Sequence, residues 1–305
     1  MKKPTVIVIT GPTASGKSAL AVSLAQKIGV DIISADSRQI YKGIPIVTAV
    51  PSEEEKGGIT HHLLDILPLD AYYSAAKFRE DATNILNDIF KHNHTAIVCG
   101  GSMLYIDALL NGIDELPTVP DEIRSTLTLE WKEKGDLWLL QKLKELDPVH
   151  YEKVDRNNLK RVFHAVEVSL TAKVPYSSLL TKCNTEDPVD LPFNVLKICL
   201  TGQREALFHR INIRVLKMIE SGLEEEAESV YPLRHLNALN TVGLKEMFAF
   251  IEGKFTRDEA IARIQKNTRV YAKKQLTWHK RDINLKYLDF SSSLEENINQ
   301  ILKFL

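Results

Sequence analysis

The sequence lacks an excess of either charge: 39 Lys and Arg against 40 Asp and Glu in 305 residues leave a formal net charge of −1. That near-cancellation excludes a histone-like or tail-type nucleic-acid binder, whose cations dominate throughout. Long apolar runs are also missing. No stretch approaches the roughly 18 residues that a membrane span needs, so no membrane partner is expected. The first ten residues lead into a glycine loop without a small-residue cleavage site, and a signal peptide is not expected either. Cysteine is scarce. Cys99, Cys183 and Cys199 are odd in number and far apart, with no CxxC spacing for zinc, which fits a reducing, cytoplasmic setting. Internal repeats and low-complexity segments are absent. What is present, 44% hydrophobic and 26% charged residues, is ordinary for a soluble globular protein. The length accommodates one large domain or one core with a smaller insertion.

Thr5–Thr10 is a β-branched apolar run and reads as a buried strand. Lys17–Ile28 carries Leu20, Leu24 and Ile28 at helical spacing and stops at Gly29. Asp31–Ala35 predicts a second strand, Ala75–Phe90 an amphipathic helix, and Thr95–Cys99 a third strand that ends in Gly100-Gly101. This alternation points to a parallel sheet with helices on its faces. Right-handed crossovers then gather the loops after the strands along one edge. From Asp121 to about Leu180 the pattern is helical only, and the proline-bearing stretch Asp187–Pro192 closes it. Val195–Leu200 resumes the strands, Arg204–Arg281 is helical again, and Lys286–Phe290 is a short last strand.

Gly11-Pro12-Thr13-Ala14-Ser15-Gly16-Lys17-Ser18 matches G-x-x-x-x-G-K-[ST] between a predicted strand and a predicted helix, the context that this phosphate loop requires. Its glycines let backbone N–H groups turn inward, and the helix N-terminus adds partial positive charge. Lys17 neutralises phosphate oxygens, and Ser18 can ligate Mg²⁺. The expected fold is therefore α/β: a P-loop NTPase-like parallel-sheet core from residues 1–120 and 190–305, with an all-helical insertion at 121–189 and a helical C-terminal part. A phosphate loop does not specify the reaction. The usual NTPase places an acid after an apolar strand to hold its metal, but Thr95–Cys99 ends in Gly-Gly. Asp36, after Asp31–Ala35, is the acid available. It is read as a metal ligand, a proton acceptor or a turn aspartate.

The remaining motifs are more specific. Ser34-Ala35-Asp36-Ser37-Arg38-Gln39-Ile40-Tyr41 follows the phosphate loop. Then come His61-His62-Leu63-Leu64-Asp65-Ile66 and Gly100-Gly101-Ser102-Met103-Leu104-Tyr105. Gln203-Arg204 with Arg210 and Arg214, Val242-Gly243-Leu244-Lys245-Glu246, and Thr268-Arg269-Val270-Tyr271-Ala272-Lys273-Lys274-Gln275-Leu276-Thr277-Trp278 complete the series. Across nearly the whole chain these resemble the bacterial tRNA dimethylallyltransferase (tRNA isopentenyltransferase) family. The resemblance implies transfer of a dimethylallyl group from dimethylallyl diphosphate to N6 of the adenosine immediately 3′ of the anticodon in certain tRNAs. Pyrophosphate is then the leaving group, cradled by Gly11–Ser18 with Arg210 or Arg214, and Mg²⁺ shares its charge. Asp36 accepts or orients the amine proton. Ser102, where the family usually has Thr, hydrogen-bonds to the diphosphate or the amine; read alone, it is equally a helix N-cap. Arg210 and Arg214, one turn apart, also read as a solvated basic face.

The partners implied are the anticodon stem-loop of tRNA and dimethylallyl diphosphate. Nothing demands a dimer, so a monomer is expected. Ser37, Arg38 and Gln39 are expected beside an adenine taken out of its stack. In the insertion, Lys160-Arg161-Val162-Phe163-His164 stands where the family commonly has Gln-Arg-x-x-Arg, and Arg124 matches another tRNA-contacting position. Pro45, Val47 and Val50 depart from the usual Asp-Ile-Gly-Thr-Ala-Lys-Pro. The stretch from Ala260 to Arg281 has seven cations and no acid, interleaved with Tyr271 and Trp278, as suits single-stranded RNA. The aromatics are favoured as core residues. Tandem His61-His62 is poor metal geometry and is given a structural or substrate-pocket role. A P-loop nucleoside kinase with a helical lid and a nucleotide-switched RNA-binding regulator are the alternatives.

Overall fold

The computed structural model describes residues 2–114, 116–180 and 190–305; Cys183 and residues 187–189 lie outside the described residues. The chain divides into two units, Met1–Leu110 with Asp190–Leu305, and Asn111–Val189.

The first unit is built on one sheet. Its strands are β1 (Thr5–Thr10), β2 (Ile32–Ser34), β3 (His61–His62), β4 (Thr95–Cys99), β5 (Asn194–Thr201) and β6 (Lys286–Asp289). They lie in the order β3-β2-β4-β1-β5-β6, and every described pairing is parallel. The α/β parallel-sheet fold expected from the sequence is the fold observed. β1 runs through the middle, with Ile7 opposite Ile97 on one side and Leu196 on the other. Val6, Ile7, Val8 and Ile9 are all buried, because a parallel strand covered on both faces needs a continuous apolar run. The Lys17–Ile28 helix lays Leu20, Leu24 and Ala25 on this sheet, in one core with Ile298 and Ile301 of the Leu294–Lys303 helix.

β3 is the strand that sequence reasoning missed. Two residues are too short to carry a period, and their pairing with Ile32 and Ile33 creates the strand. The histidines there have structural contacts: His62 Nε2 lies 2.9 Å from Asp31 Oδ2, and His61 Nδ1 lies 2.9 Å from the Ile59 carbonyl.

The described elements of the second unit are helices: Asp121–Leu146, Pro148–Lys153, Leu159–Ala172 and Tyr176–Leu179. The first is interrupted at Gly135, whose φ is 81°. Leu127, Leu139, Leu143, Val162, Ala165 and Val166 form its core. Buried Asp147 accepts the His150 and Ser177 N–H groups and the Ser177 hydroxyl, at 2.9, 2.6 and 2.8 Å. Three donors satisfy a carboxylate that burial would otherwise penalise. Among the described residues no helix is long and apolar enough to cross a membrane.

Candidate active site

In a parallel sheet the turns after the strands share one edge, the usual place for a ligand. Here Gly11–Ser18 follows β1, Asp36–Gln39 follows β2 and Gly100–Ser102 follows β4. The last two turns lock together. The Ser102 N–H donates to the Ala35 carbonyl at 3.1 Å, and a Cβ on Gly100 would fall 2.1 Å from that same oxygen. Only glycine permits this approach. The Ser102 hydroxyl accepts the Ser37 N–H at 2.8 Å and donates to Ser37 Oγ at 3.1 Å. Among the described bonds it serves the Asp36 turn, not the cap of its own helix.

Asp36 is the turn aspartate that one of its readings expects. Oδ1 accepts the N–H groups of Arg38 and Gln39, at 2.9 and 3.3 Å, which makes it a turn aspartate. No described bond uses Oδ2, and the residue lines a cavity of about 400 Å³. Lys17, Ser18 and Arg214 line the same cavity. Burial lowers the pKa of Lys17 and of Arg214, while the Asp36 charge opposes the fall in both. Two desolvated cations therefore face one carboxylate, an arrangement that gains when an anion enters. Ser15 Oγ of the phosphate loop is buried without a partner.

The two predicted arginines separate. Arg210 Nε donates to the Ala14 carbonyl at 2.9 Å, and its guanidinium lies over the Phe290 ring at 4.8 Å. It braces the phosphate loop at Ala14. Arg214 lines the cavity, and both arginines line a second concavity with Lys17, Ser18 and Lys217. Arg38 and Gln39 line the cavity with Asp36, and their polar ends bond to backbone carbonyls. Arg38 Nη1 donates to the Asn237 and Ala238 carbonyls at 2.7 and 3.2 Å, and Gln39 Nε2 donates to the Thr48 and Ala49 carbonyls at 3.0 and 2.8 Å. Both tie the turn to other walls of the cavity. Of the described cysteines, burial pushes Cys99 up to about 11 and Cys199 up to about 12, which keeps both as thiols.

The Arg257–His279 helix corrects one expectation. Three of its cations have partners within the fold: Arg263 lies over Phe255, Arg269 donates to Asn212 and Lys273 lies over Phe208. Tyr271 is not core; it is 40% exposed and lines the cavity. Gln275, four residues on, is buried in the wall between the phosphate loop and the Gly100–Ser102 turn. Sequence reasoning did not single it out, because its partner Thr13 is 262 positions away and nothing in a polar helix marks one glutamine.

In the helical unit the predicted residues fall on one helix and beside it. Lys160, Arg161 and His164 are exposed. Val162 faces the core and is fully buried, and Phe163 packs on Trp131 with ring centroids 5.4 Å apart. These two hold the helix and present no surface to RNA equal to that of their neighbours. Arg124 makes a two-pronged ion pair with Glu167, at 2.9 and 3.2 Å, and His164 Nδ1 lies 3.0 Å from the same carboxylate. Burial pushes the Glu167 carboxyl up, but hydrogen bonds from His164 and Arg124 outweigh it and hold the pKa below its ordinary value.

Residues 39–282 match the IPP transferase family. The chain is 47% identical over 277 residues to tRNA dimethylallyltransferase 2 of Parabacteroides distasonis, covering 91% of each chain. Among solved structures it resembles the full-length tRNA isopentenylpyrophosphate transferase of Bacillus halodurans, with TM-score 0.73 and 32% identity over 99% of this chain and 95% of that one. A eukaryotic dimethylallyltransferase acting on tRNA aligns with TM-score 0.78 and 27% identity, over 94% of this chain and 74% of that one. With a phosphate loop, a turn carboxylate and Gly100 around one cavity, and with these relatives, the chain belongs to the IPP transferase family.

Proposed function

We infer that this protein is a prenyltransferase that moves a dimethylallyl group from its diphosphate to N6 of a tRNA adenosine, the one immediately 3′ of the anticodon. The observation that carries this reading is the pairing within one cavity. Asp36 and the Ser102-braced turn form one wall, and Lys17, Ser18 and Arg214 form another. A carboxylate suited to an amine thus faces cations suited to a diphosphate.

In the reaction the bond between C1 of the allyl group and the diphosphate oxygen breaks, and a bond from N6 to C1 forms. The electron pair leaves with pyrophosphate, whose charge falls to Lys17, Arg214 and the inward N–H groups of the phosphate loop. N6 becomes cationic as it is alkylated and gives its proton to Oδ2 of Asp36. The turn holds Oδ1, so the carboxylate is oriented before the amine arrives. An exocyclic adenine amine is a weak nucleophile, so allylic ionisation of the donor carries much of the barrier and charge stabilisation at the leaving oxygen is the largest contribution.

The donor set fits Mg²⁺ bound mainly through the substrate. Ser18 offers one hard hydroxyl oxygen at a helix start, and no group of three or more His, Cys, Asp or Glu side chains able to hold a metal occurs among the described residues. When bound there, Mg²⁺ would share the charge of the departing diphosphate. Lys160, Arg161 and His164 are the surface of the helical unit offered to tRNA phosphates, with Arg124 beside them. The setting is cytoplasmic and the working form a monomer. The kinase and switch alternatives lose their ground with family membership. The test is incubation with dimethylallyl diphosphate, Mg²⁺ and unmodified tRNA, followed by mass spectrometry of the digested RNA. N6-(dimethylallyl)adenosine beside the anticodon is expected; its absence rejects the reading.

A further inference from the structure

The Arg257–His279 helix carries two buried polar side chains one turn apart, Gln275 and His279, which are 2% and 6% exposed. Gln275 joins two loops that serve different reactants. Its Oε1 accepts the Thr13 N–H at 3.0 Å, and its Nε2 donates to the Gly101 carbonyl at 2.9 Å. Thr13 belongs to the diphosphate loop. Gly101 precedes Ser102, whose hydroxyl holds the Asp36 turn. A Cβ on Gly101 would lie 2.6 Å from Gln275 Nε2, so the turn leaves this place to the amide.

His279 reaches the adjacent carbonyl through a relay. Thr10 Oγ1 donates to the Gly100 carbonyl at 3.1 Å and lies 3.3 Å from His279 Nε2. The single hydroxyl proton of Thr10 goes to Gly100, so Nε2 is the donor to Thr10. Burial pushes the His279 pKa down to about 4, and the ring stays neutral at physiological pH. Two consecutive carbonyls of the Gly100–Gly101 turn are therefore held from one helix face.

We propose that Gln275 is a positioning residue for prenyl transfer: it sets the separation between the diphosphate loop and the Asp36–Ser102 turn, and His279 with Thr10 steadies the same turn. The proposal rests on the reaction inferred above. Displacement at C1 requires the leaving oxygen, C1 and N6 to be aligned, and the leaving oxygen and N6 are held by different loops. No covalent tie near the site fixes their spacing. An amide supplies one acceptor and one donor at opposite corners of a rigid plane, which is the pattern that Thr13 N–H and Gly101 C=O require.

The test is Gln275→Met, which keeps length and apolar bulk but makes neither bond. Single-turnover rate, tRNA affinity and binding of inorganic pyrophosphate are measured together. The rate should fall about 10- to 100-fold, the scale of a misplacement near 1 Å. Binding of tRNA and of pyrophosphate should each stay within about twofold, since each loop still holds its own ligand. An undiminished rate overturns the proposal. So does a rate loss matched by equal losses in both affinities, which would mean that Gln275 only supports the fold. Thr10→Val offers a second route if Gln275→Met does not fold. It removes the relay hydroxyl and should slow the same step about three- to tenfold, the scale of one hydrogen bond, with affinities kept; an unchanged rate again counts against the proposal. Wild-type protein runs in parallel. No product from the wild type sinks the reaction itself, whereas a fully active Gln275→Met beside an active wild type removes only the positioning role.

Discussion

The two units carry their candidate residues in opposite ways. In the α/β unit, Lys17, Asp36, Arg214 and Gln275 come from four segments and line one cavity, the first two delivered by strand-end turns and the last two by helices. In the helical unit, Lys160, Arg161 and His164 sit within five consecutive positions of one helix, and Glu167, the partner of His164, is less than one turn further on. The first site is partly dry and built around desolvated charge. The second presents exposed cations over a buried carboxylate. In the proposed function the difference separates chemistry from recognition. Stabilising a leaving group needs preorganised charge away from water, whereas gripping phosphates works from the surface and yields to salt.

The largest expected effect tests the dry site. Asp36→Asn keeps an oxygen for the Arg38 and Gln39 N–H groups and so preserves the turn. It should still lower the single-turnover rate by about 10²- to 10⁴-fold, as loss of a general base does, with tRNA affinity nearly unchanged. An active Asp36→Asn with an inactive Asp36→Ala would reassign Asp36 to the turn alone. Next, Arg214→Ala should cost about 10²-fold in rate, the scale of one charge-stabilising donor. Arg210→Ala should cost less, because Arg210 acts through the Ala14 carbonyl. Kinetics that rank the two in the reverse order would move the diphosphate contact outward.

The helical unit answers to smaller changes. Glu167→Gln should destabilise that unit by about 1–2 kcal/mol at neutral pH, less than a fully buried pair would, because Arg124 and His164 are each about half exposed. The folded Glu167 has a pKa below its ordinary 4.5. Its contribution is therefore complete above that value and is lost as pH falls through the lower, folded value. Denaturant unfolding from pH 7 down to pH 3 should show the wild type and Glu167→Gln converging only at the acid end; a gap that persists there would deny the charge effect. Smallest of all, Lys160→Ala and Arg161→Ala should each weaken tRNA binding about threefold to tenfold and lower the salt slope by about one. Their rates at saturating tRNA should match the wild type. A changed rate would place the helical unit in the chemistry as well.

Much of the fold was legible in the sequence, for a reason that recurs along the chain. β1 and β4 are buried along nearly their whole length, as are Ile198–Leu200 of β5, so each had to be an apolar run. The Lys17–Ile28 helix sits on the sheet, so its apolar residues had to recur at helical spacing. β3 was not legible, because pairing alone makes two histidines a strand. At the site, the phosphate loop, Asp36 and Ser102 stood out because each is a local motif at a strand end. The roles of their neighbours did not. The carbonyl partners of Arg38 and Gln39 lie outside any local motif, and Tyr271 read as core until the cavity opened beside it.

The sequence by itself determined the sheet order's raw material, the phosphate loop, the carboxylate and the family, since these depend on short-range period and on residues within a few positions of one another. Only the tertiary structure decided which arginine faces the cavity and which braces the loop. It also decided that Gln275 bridges Thr13 and Gly101. Those assignments depend on directions of side chains that are up to 262 residues apart along the chain, and no local pattern carries such a direction.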